Sequence, residues 1–462
     1  MFLTKRMPTY RASVQRRGPL RTNALLSLLI VCCCTTGTRA QDAPAVRPNI
    51  VLIMADDLGV ECLGCYGGMS YHTPNLDRLA RRGMRFMNAY SMPLCTNTRL
   101  QLMTGKYNQR NWIAFGILDP RERTIGHWLT DAGYRSCIAG KWQLQSYDPP
   151  EYPGAAKRRG LGMRVENAGF DEYCLWHTGH TELKGSRYAD PVILENGQFR
   201  DDTQGRYGPD IWVEYINDFI ERNRERPFFV YYPMALPHGP MVPTPKSAEW
   251  PDTQQRGQSG VRFFRDMVEY TDHCVGRIVE KIDELGLAPQ TLIVFYSDNG
   301  THRSVISQTR NGAVTGGKGL TTNAGTHVPL VVRWSGRVES GQVDDLIDST
   351  DILPTLMHAA QAELPADGGF DGKSFYPSLF GDSSSARRWL YCNYDPRPGW
   401  DKDKYTRRIF VRDKRFKLYD DGRLYDLAQD LLEKNPIGLA GASDRQTAVR
   451  KRLSSVLRLL RP

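Results

Sequence analysis

Two pairs of polar residues each come soon after a short apolar stretch that is typical of a buried strand. The pair Asp56-Asp57 follows the run Ile-Val-Leu-Ile-Met, and the pair Asp298-Asn299 follows the run Leu-Ile-Val-Phe-Tyr. Carboxylate and amide oxygens are the ligands that the hard cations Ca²⁺ and Mg²⁺ prefer. Each pair alone is more typical of a turn or a helix cap, so the prediction of a metal site depends on the two pairs lying together.

Cys95 is the candidate nucleophile of the chain. Residues 98–104, which follow it, are predicted to form a helix, and the positive end of a helix dipole lowers a thiol pKa and attracts anions. Arg99, one turn further on, carries a planar guanidinium group that matches the oxygens of a sulfate or a phosphate. A single cysteine is more commonly part of a core or a disulfide, so this interpretation also depends on its neighbours.

The elements that would position these residues alternate along the chain. Apolar runs predict strands at residues 50–54, 228–232, 292–296 and 330–332, and helical periodicity appears at residues 76–83, 124–132, 210–223 and 261–285. Short strands without polar residues indicate a sheet that is covered on both faces. We therefore predict an α/β fold with a doubly wound, mostly parallel sheet sandwiched by helices, whose sites gather at the carboxyl ends of the strands.

The pattern changes after Ser374. Short alternating segments predict strands at residues 389–394, 408–412, 416–419 and 424–427, and apolar residues recur at helical spacing over residues 445–460. These features predict a small antiparallel sheet with a terminal helix. The chain is accordingly divided into a main domain at residues 46–375 and a small C-terminal antiparallel α+β domain at residues 376–462.

The first forty residues are predicted to be an export signal. They contain seven basic residues and no acidic ones, and an apolar run at residues 24–34 is followed by Thr38-Arg39-Ala40, with cleavage expected after Ala40. The run is shorter than the roughly twenty residues that span a bilayer, so stable membrane insertion is not expected. The pair Arg16-Arg17 leaves both the Sec and the twin-arginine route open. We expect the mature protein in the periplasm or outside the cell.

Most of the positive charge belongs to this signal. Loss of its seven basic residues reduces the formal net charge of +10 to +3, so the composition gives no support to nucleic-acid binding. Three of the ten cysteines are lost with the signal, and the odd number that remains favours a special role for one of them. Cys62 and Cys65 lack a second pair at zinc spacing, so a disulfide or simple packing is the favoured interpretation.

Seven short motifs occur in the order Asp56-Asp57, Cys95 to Gly105, Gly140-Lys141-Trp142, Pro237-His238-Gly239-Pro240, Asp298-Asn299-Gly300, Gly317-Lys318 and Val328-Pro329. This order resembles the sulfatases of the alkaline phosphatase superfamily. The resemblance covers residues 47–372, and the Leu-Tyr-Asp-Leu sequence at residues 424–427 is similar to the family's carboxyl-terminal ending. It implies an alkaline phosphatase-like fold, with residues 46–375 as the sulfatase catalytic domain.

The resemblance implies a role for each matched residue. Asp56, Asp57, Asp298 and Asn299 would bind Ca²⁺, or alternatively Mg²⁺. Cys95 would be oxidised to formylglycine by a formylglycine-generating enzyme. One hydroxyl of the hydrated aldehyde would then attack the sulfur of a small-molecule or oligosaccharide sulfate ester.

Three cations and a histidine complete the implied machinery. Arg99, Lys141 and Lys318 would neutralise charge on the sulfuryl oxygens, and His238 would protonate the leaving alcohol with Lys318 nearby. Lys141, His238 and Lys318 would also bind the substrate. The second hydroxyl of the hydrated aldehyde would then expel sulfate.

Two residues within this machinery depart from the family pattern. Asn97 replaces the proline of Cys-x-Pro-x-Arg, the sequence that the modifying enzyme reads. Gln143 replaces the histidine that is expected as the base of the elimination step, and glutamine cannot take up a proton near neutral pH. Further along the chain, Asn323 and His327 stand where the family tends to have glutamate and arginine.

The sequence therefore favours an exported, metal-dependent sulfatase that hydrolyses aryl or carbohydrate sulfate monoesters. Two alternatives remain open. A degenerate, non-catalytic sulfatase-like binding protein would have no need of Arg99, Lys141, His238 and Lys318. A phosphoester or phosphonate hydrolase of the same superfamily would use Thr96 or an unconverted Cys95, and a comparison of sulfur with phosphorus substrates separates it from a sulfatase.

Overall fold

The structure, a computed structural model, describes residues 47–146, 151, 155–179, 184–396 and 406–460. The predicted export signal lies outside these residues. Within the described ranges, none of the helices is both long enough and apolar enough to cross a membrane.

The described strands and helices are numbered in chain order. The strands are β1 (Asn49–Ala55), β2 (Met84–Tyr90), β3 (Arg135–Lys141), β4 (Gln145–Ser146), β5 (Leu161–Gly162), β6 (Glu172–Trp176), β7 (Leu194–Glu195), β8 (Gln198–Phe199), β9 (Phe228–Pro233), β10 (Thr291–Ser297), β11 (Ile306–Thr309), β12 (Gly312–Thr315), β13 (Leu330–Arg333), β14 (Gly341–Asp348), β15 (Leu390–Tyr394), β16 (Arg408–Arg412), β17 (Phe416–Tyr419) and β18 (Leu424–Asp426). The helices are α1 (Pro74–Arg81), α2 (Cys95–Thr104), α3 (Asn108–Asn111), α4 (Ile125–Asp131), α5 (Gly208–Arg222), α6 (Phe264–Glu284), α7 (Asn323–Thr326), α8 (Ile352–Ala359) and α9 (Asp444–Leu460).

The main sheet of the described chain has ten strands in the order β14-β2-β13-β10-β1-β9-β3-β6-β7-β8. Neighbouring strands are parallel from β10 through β1, β9 and β3 to β6, and β14 is parallel to β2. The remaining neighbours are antiparallel. Because parallel strands end at the same edge, the pairing of Ala55 with Ser297 brings the residues that follow β1 and β10 side by side.

Helices cover both faces of this sheet, because its central strands are apolar on both faces. In β1, Val51 and Ile53 pack on the side of α1, α5 and α6, whereas Leu52 and Met54 pack on the side of α2, α4 and α8. Complete burial of such a side chain contributes about 2 kcal/mol. This arrangement confirms the predicted α/β fold with a doubly wound, mostly parallel sheet.

The predicted elements of the main sheet agree with the observed ones to within a few residues, with two kinds of exception. Helix α2 is longer than predicted, because it begins at Cys95 rather than at Thr98. The sequence also does not predict six strands of this sheet. Strands β2, β3, β6 and β14 carry charged or polar residues that break the apolar pattern, and β7 and β8 have only two residues each. Strand β3 matters for the site, because it ends at Lys141.

The carboxyl-terminal region forms a second sheet in the order β15-β16-β17-β18, in which all neighbours are antiparallel. Leu453 and Leu457 of α9 pack into the same core as Val411 and Leu418 of this sheet. The small antiparallel sheet with a terminal helix is therefore confirmed. Contacts group it with the main sheet into one unit, Val46–Pro462, and the predicted domain boundary at residue 375 stays a prediction.

Candidate active site

The polar residues after β1 and β10 lie together at the carboxyl edge of the main sheet. One ligand atom each of Asp56, Asp298 and Cys95 lie within 4.8 Å of one another. Asn299 joins them by donating from Nδ2 to Asp57 Oδ1 at 2.7 Å, and the backbone N–H of Asp57 donates to Asp298 Oδ1 at 3.1 Å. The structure thus brings together the four residues for which the resemblance implies metal binding.

These residues fit a hard divalent cation. Oδ1 of Asp56 and Oδ1 of Asn299 are buried and have no hydrogen-bond partner within the described ranges, which is costly unless a ligand satisfies them. Burial and the nearby charge of Asp56 raise the pKa of Asp298. Burial alone would raise the pKa of Asp56, but Lys141 and the neighbouring cations hold this pKa far below its usual range. A double positive charge would relieve the repulsion between these carboxylates, and an all-oxygen set suits Ca²⁺ or Mg²⁺.

Helix α2 carries Cys95 and Arg99 into this cluster. All ten residues of the helix are buried, and Thr98 donates from Oγ1 to the carbonyl oxygen of Asp298 at 2.6 Å. Cys95 and Arg99 share one face of the helix, since four positions separate them. Nη2 of Arg99 lies 2.9 Å from Asp298 Oδ2 and 3.7 Å from Asp56 Oδ2. The start of the helix, where backbone N–H groups lack partners within the helix, therefore lies with a fixed guanidinium group beside Cys95.

The Cys-x-x-Cys pair of Cys62 and Cys65 forms no disulfide in the structure. All seven described cysteines are free thiols. Burial raises the pKa of both of these thiols, and Cys62 packs in the core on the α1 side of the sheet. For the Cys-x-x-Cys pair the structure therefore supports packing, one of the two interpretations that the sequence leaves open.

Lys141 ends β3 and reaches the same carboxylates. Its Nζ lies 2.7 Å from Asp56 Oδ2, with the two side chains 1% and 0% exposed. Gly140 permits this approach of β3, because its φ is +129° and a Cβ there would lie 2.1 Å from the carbonyl oxygen of Pro233. Arg99 donates from Nη1 to the carbonyl oxygen of Lys141 at 3.3 Å, so the two cations are held next to each other.

Lys318 enters the site from the loop before α7. Its Nζ lies 2.6 Å from Asp57 Oδ2. Burial alone would lower the pKa of Lys318, but the ion pair with Asp57 raises it above its usual value. The ammonium group therefore keeps its proton at neutral pH.

His238 follows β9 and faces the same carboxylate. Its Nε2 lies 3.8 Å from Asp57 Oδ2. Burial lowers the pKa of His238 to about 3, although Asp57 acts in the opposite direction, so the ring is neutral at pH 7. Nδ1 lies 2.6 Å from the carbonyl oxygen of Gly239 and 3.1 Å from Nη1 of Arg187. These contacts hold the ring with Nε2 toward Asp57.

Arg187 is a site residue that sequence reasoning misses. Its guanidinium group lies 4.1 Å from the centre of the Trp176 ring while it contacts His238. Trp176 ends β6, next to the end of β3 that carries Lys141. Nothing in the local sequence around Arg187 predicts this role, because no motif or periodic pattern includes it.

Comparison with known protein families agrees with this geometry. A family model described as Sulfatase matches residues 48–362. The chain belongs to the sulfatase family. A second model, described as N-sulphoglucosamine sulphohydrolase, C-terminal, matches residues 317–461 of this sulfatase. The protein is thus a sulfuric ester hydrolase by family.

Individual relatives match this sulfatase over most of its length. Human arylsulfatase A is 32% identical over 368 residues, which cover 76% of this chain and 71% of the relative. The N-acetylgalactosamine-6-O-sulfatase of Bacteroides thetaiotaomicron is 28% identical over 474 residues, which cover 85% and 89% of the two chains.

Solved structures share the fold at lower identity. A structure from work on glycosaminoglycan metabolism by Bacteroides thetaiotaomicron has a TM-score of 0.70 and 24% identity, and the match covers 90% of this chain and 99% of the other. The phosphonate monoester hydrolase of Agrobacterium radiobacter has a TM-score of 0.64 and 20% identity, with 90% and 95% covered. These similarities confirm the predicted alkaline phosphatase-like fold.

The two departures from the family pattern each stand two residues from a candidate site residue of this sulfatase, Asn97 after Cys95 and Gln143 after Lys141. Asn97 is fully buried, and neither polar atom of its side chain has a hydrogen-bond partner among the described residues. Gln143 has a left-handed backbone conformation, with a φ of 61°, and its N–H donates to the carbonyl oxygen of His177 at 3.2 Å. Its Oε1 is likewise buried without a described partner. Burial of these amide atoms without partners therefore lowers the free energy of unfolding at both positions.

Proposed function

We propose that this sulfatase is exported and metal-dependent, and that it hydrolyses carbohydrate or aryl sulfate monoesters through a formylglycine derived from Cys95. The observation that carries the proposal is the convergence of four oxygen ligands and four basic side chains on one buried cysteine at the start of a helix. The ligands are Asp56, Asp57, Asp298 and Asn299, and the basic side chains are Arg99, Lys141, His238 and Lys318.

The residues of the chain account for the parts of the reaction. A bound Ca²⁺ or Mg²⁺ would polarise the sulfate group and orient the nucleophile. Arg99, Lys141 and Lys318 supply positive charge to the sulfuryl oxygens. The pair of His238 and Lys318 supplies the proton to the leaving alcohol, with Lys318 as the member that is protonated at neutral pH. The sulfur passes from the ester oxygen to an oxygen on residue 95, and its release as sulfate restores the aldehyde.

Sulfated sugars are the substrate class that the relatives favour. Relatives named N-acetylgalactosamine-6-sulfatase occur in humans and in Bacteroides thetaiotaomicron. One structural neighbour, with 22% identity and a TM-score of 0.70, was solved with its substrate D-glucosamine-2-N,6-O-disulfate. Aryl sulfates stay within the proposal, because human arylsulfatase A is 32% identical over 368 residues.

Maturation of Cys95 has to precede folding. Every residue of the segment 95–99 is buried in the folded chain, and Cys95 is only 2% exposed. A formylglycine-generating enzyme would therefore act on the unfolded segment, with Asn97 in the place of the proline that it reads. Activity is expected to scale with the fraction of chains in which this step succeeds.

Mass spectrometry of the protein from its native host tests this step. Trypsin cleavage after Arg85 and Arg99 releases residues 86–99, in which Cys95 is the only cysteine. We expect part of this peptide to have the mass of the aldehyde in place of the thiol. An entirely unmodified peptide, together with no turnover of aryl sulfates or sulfated sugars, would contradict the proposal.

Metal dependence has a separate test. Chelation with EDTA should abolish turnover, and addition of Ca²⁺ or Mg²⁺ to the chelated enzyme should restore it. Asp56→Asn should prevent this restoration, because it removes charge from a ligand whose Oδ1 is otherwise without a described partner. Full turnover after exhaustive chelation would contradict metal dependence.

The two alternatives predict different outcomes. A phosphoester or phosphonate hydrolase would turn over 4-nitrophenyl phosphate or a phosphonate ester faster than 4-nitrophenyl sulfate. A degenerate binding protein would bind sulfated sugars in a titration and hydrolyse neither class.

Export is tested by the amino-terminal sequence of the mature protein, which we expect to begin at Gln41.

A further inference from the structure

The loop that carries Lys318 is attached to two parts of the active site. We call residues 316–322 the Lys318 loop. The N–H of Lys318 donates to the carbonyl oxygen of Thr301 at 2.9 Å, and the N–H of Gly319 donates to the carbonyl oxygen of Pro93 at 2.8 Å. Thr301 lies two residues after the pair Asp298-Asn299 that follows β10, and Pro93 lies two residues before Cys95. The loop therefore bridges the metal cluster and the nucleophile.

The other side of the Lys318 loop contacts the carboxyl-terminal sheet. Lys417 on β17 donates from Nζ to the carbonyl oxygen of Thr321. The hydroxyl groups of Thr321 and Tyr419, also on β17, lie 2.8 Å apart. Arg412 on β16 donates from Nη1 to Asn323 Oδ1 at 2.8 Å. Two strands of the second sheet thus contact the chain from Thr321 to the first residue of α7.

A buried carboxylate completes this contact. Glu433 Oε1 lies 2.7 Å from Lys417 Nζ, and the side chains are 5% and 1% exposed. The other oxygen of Glu433 accepts a hydrogen bond from the hydroxyl group of Tyr419 at 2.5 Å. Lys417 and Tyr419 are therefore fixed by the same carboxylate while both contact Thr321. We call Lys417, Tyr419 and Glu433 the clamp residues.

The clamp residues contact the Lys318 loop as well as residues of their own region. Burial lowers the pKa of Lys417 to about 8, although Glu433 acts in the opposite direction. At neutral pH the ammonium group is therefore charged, and a charged donor forms a strong hydrogen bond with the Thr321 carbonyl oxygen. Thr321 is three residues from Lys318, so movement at Thr321 would be transmitted to the ammonium group on Asp57.

We propose that the clamp residues Lys417, Tyr419 and Glu433 are positioning residues of the active site, which hold the Lys318 loop so that Lys318 stays paired with Asp57. This inference rests on the proposed function, because it assigns the three side chains to the sulfatase reaction. It gives the carboxyl-terminal sheet a part in catalysis through Lys318, without contact between the clamp and the substrate.

Three variants test the proposal by kinetics. Lys417→Met removes the ammonium group, and Tyr419→Phe removes only one hydroxyl group. Arg415→Met is the matched control, because it breaks an ion pair of 2.7 Å with Asp426 within the carboxyl-terminal region. We expect Lys417→Met to lower kcat by about tenfold to a hundredfold, as a small misplacement of a catalytic group does, with a smaller change in KM. Tyr419→Phe should show a weaker effect in the same direction, and Arg415→Met should keep kcat within about twofold.

A double-mutant comparison separates positioning from general destabilisation. If Lys417 acts through Lys318, Lys417→Met should lower kcat by less than about twofold further when Lys318→Ala is already present. All measurements are made well below the unfolding temperature of the least stable variant. An equal effect of Lys417→Met in both backgrounds would overturn the proposal.

Hydrogen exchange tests the clamp without any turnover. We expect the amide protons of Lys318 and Gly319 to exchange faster in Lys417→Met and Tyr419→Phe than in the unchanged protein, and at the same rate in Arg415→Met. If these shifts occur in a protein that hydrolyses no sulfate ester, the proposed function fails while the clamp stands. If exchange is unchanged in Tyr419→Phe, which keeps the ion pair and is expected to fold, the clamp is refuted.

Discussion

Lys141 and Asp56 form an ion pair in which Nζ lies 2.7 Å from Oδ2, and neither side chain is more than 1% exposed. The other oxygen of Asp56, Oδ1, has no hydrogen-bond partner among the described residues. One oxygen of this carboxylate thus pairs with Lys141, and the other is available to a cation. In the proposed mechanism, Asp56 therefore connects the residues proposed to bind sulfate with those proposed to bind the metal.

Lys141→Met is expected to change turnover and Ca²⁺ binding differently. We expect kcat/KM to fall by about 10²- to 10³-fold, because the sulfuryl oxygens lose a buried positive charge. Ca²⁺ binding should not weaken, since loss of a nearby cation leaves Asp56 more available to the ion. Steady-state kinetics and calorimetric Ca²⁺ titration measure the two effects. Lys106→Met, which breaks a pair with Glu122 that is 23% and 15% exposed, is the control, and loss of Ca²⁺ binding in Lys141→Met would contradict the expectation.

Asn97→Pro is expected to raise the fraction of converted Cys95. It restores the proline of the maturation sequence, and residue 97 is the third residue of α2, where the helix does not use the backbone N–H. It also removes a buried amide without described partners, so the free energy of unfolding should not decrease and is expected to rise by about 1 kcal/mol. Mass analysis of the peptide 86–99 measures the conversion.

Asn97→Ala is the control for this experiment. It removes the buried amide without restoring the proline, so it separates stability from recognition by the modifying enzyme. Equal conversion in the unchanged protein and in both variants would show that the residue type at position 97 does not limit maturation. Equal gains in the Ala and Pro variants would show that maturation does not require the proline.

Gln143→His is expected to speed turnover, because it restores the base of the elimination step. Histidine is among the residues that tolerate a left-handed backbone, so the φ of 61° does not oppose it. General base catalysis contributes about 10²-fold or more where the proton transfer limits the rate. A rapid-mixing experiment should show a smaller initial burst of alcohol relative to sulfate. Gln143→Asn keeps an amide and should show no gain in turnover. If the unchanged enzyme already releases sulfate fast, another base acts in the elimination step.

His327 is expected to make stability depend on pH below neutrality. Burial lowers its pKa from 6.5 to about 4, where Nε2 lies 3.0 Å from the carbonyl oxygen of Met87 and the ring stacks on Tyr90. The unfolded chain then binds the proton more readily than the folded chain. The contribution of His327 to the free energy of unfolding is therefore fully present above pH 6.5 and is lost as the pH falls from 6.5 to 4. The loss is about 3 kcal/mol at most. Urea unfolding at several pH values should show a flatter profile for His327→Gln, and identical profiles would rule out this source of acid sensitivity.

The order of motifs predicts most of the residues that the structure brings together, because each matched residue stands next to a recognisable element. Asp56 and Asp298 follow apolar strands, and strands of that kind end at one edge of a parallel sheet. Cys95 and Arg99 are four residues apart and therefore share a helix face. Only its motif predicts Lys141, since the polar residues of β3 break the apolar pattern by which a strand is predicted.

The sequence by itself determined the fold class and the chemical groups of the site, because strand ends and helix faces are local properties of the chain. Only the tertiary structure decided which groups touch. Arg187 meets His238 across 51 positions, and Lys417 meets Thr321 across 96. No local pattern encodes such contacts, since they arise when separate elements pack and each buried charge has to find a partner that offsets its loss of water.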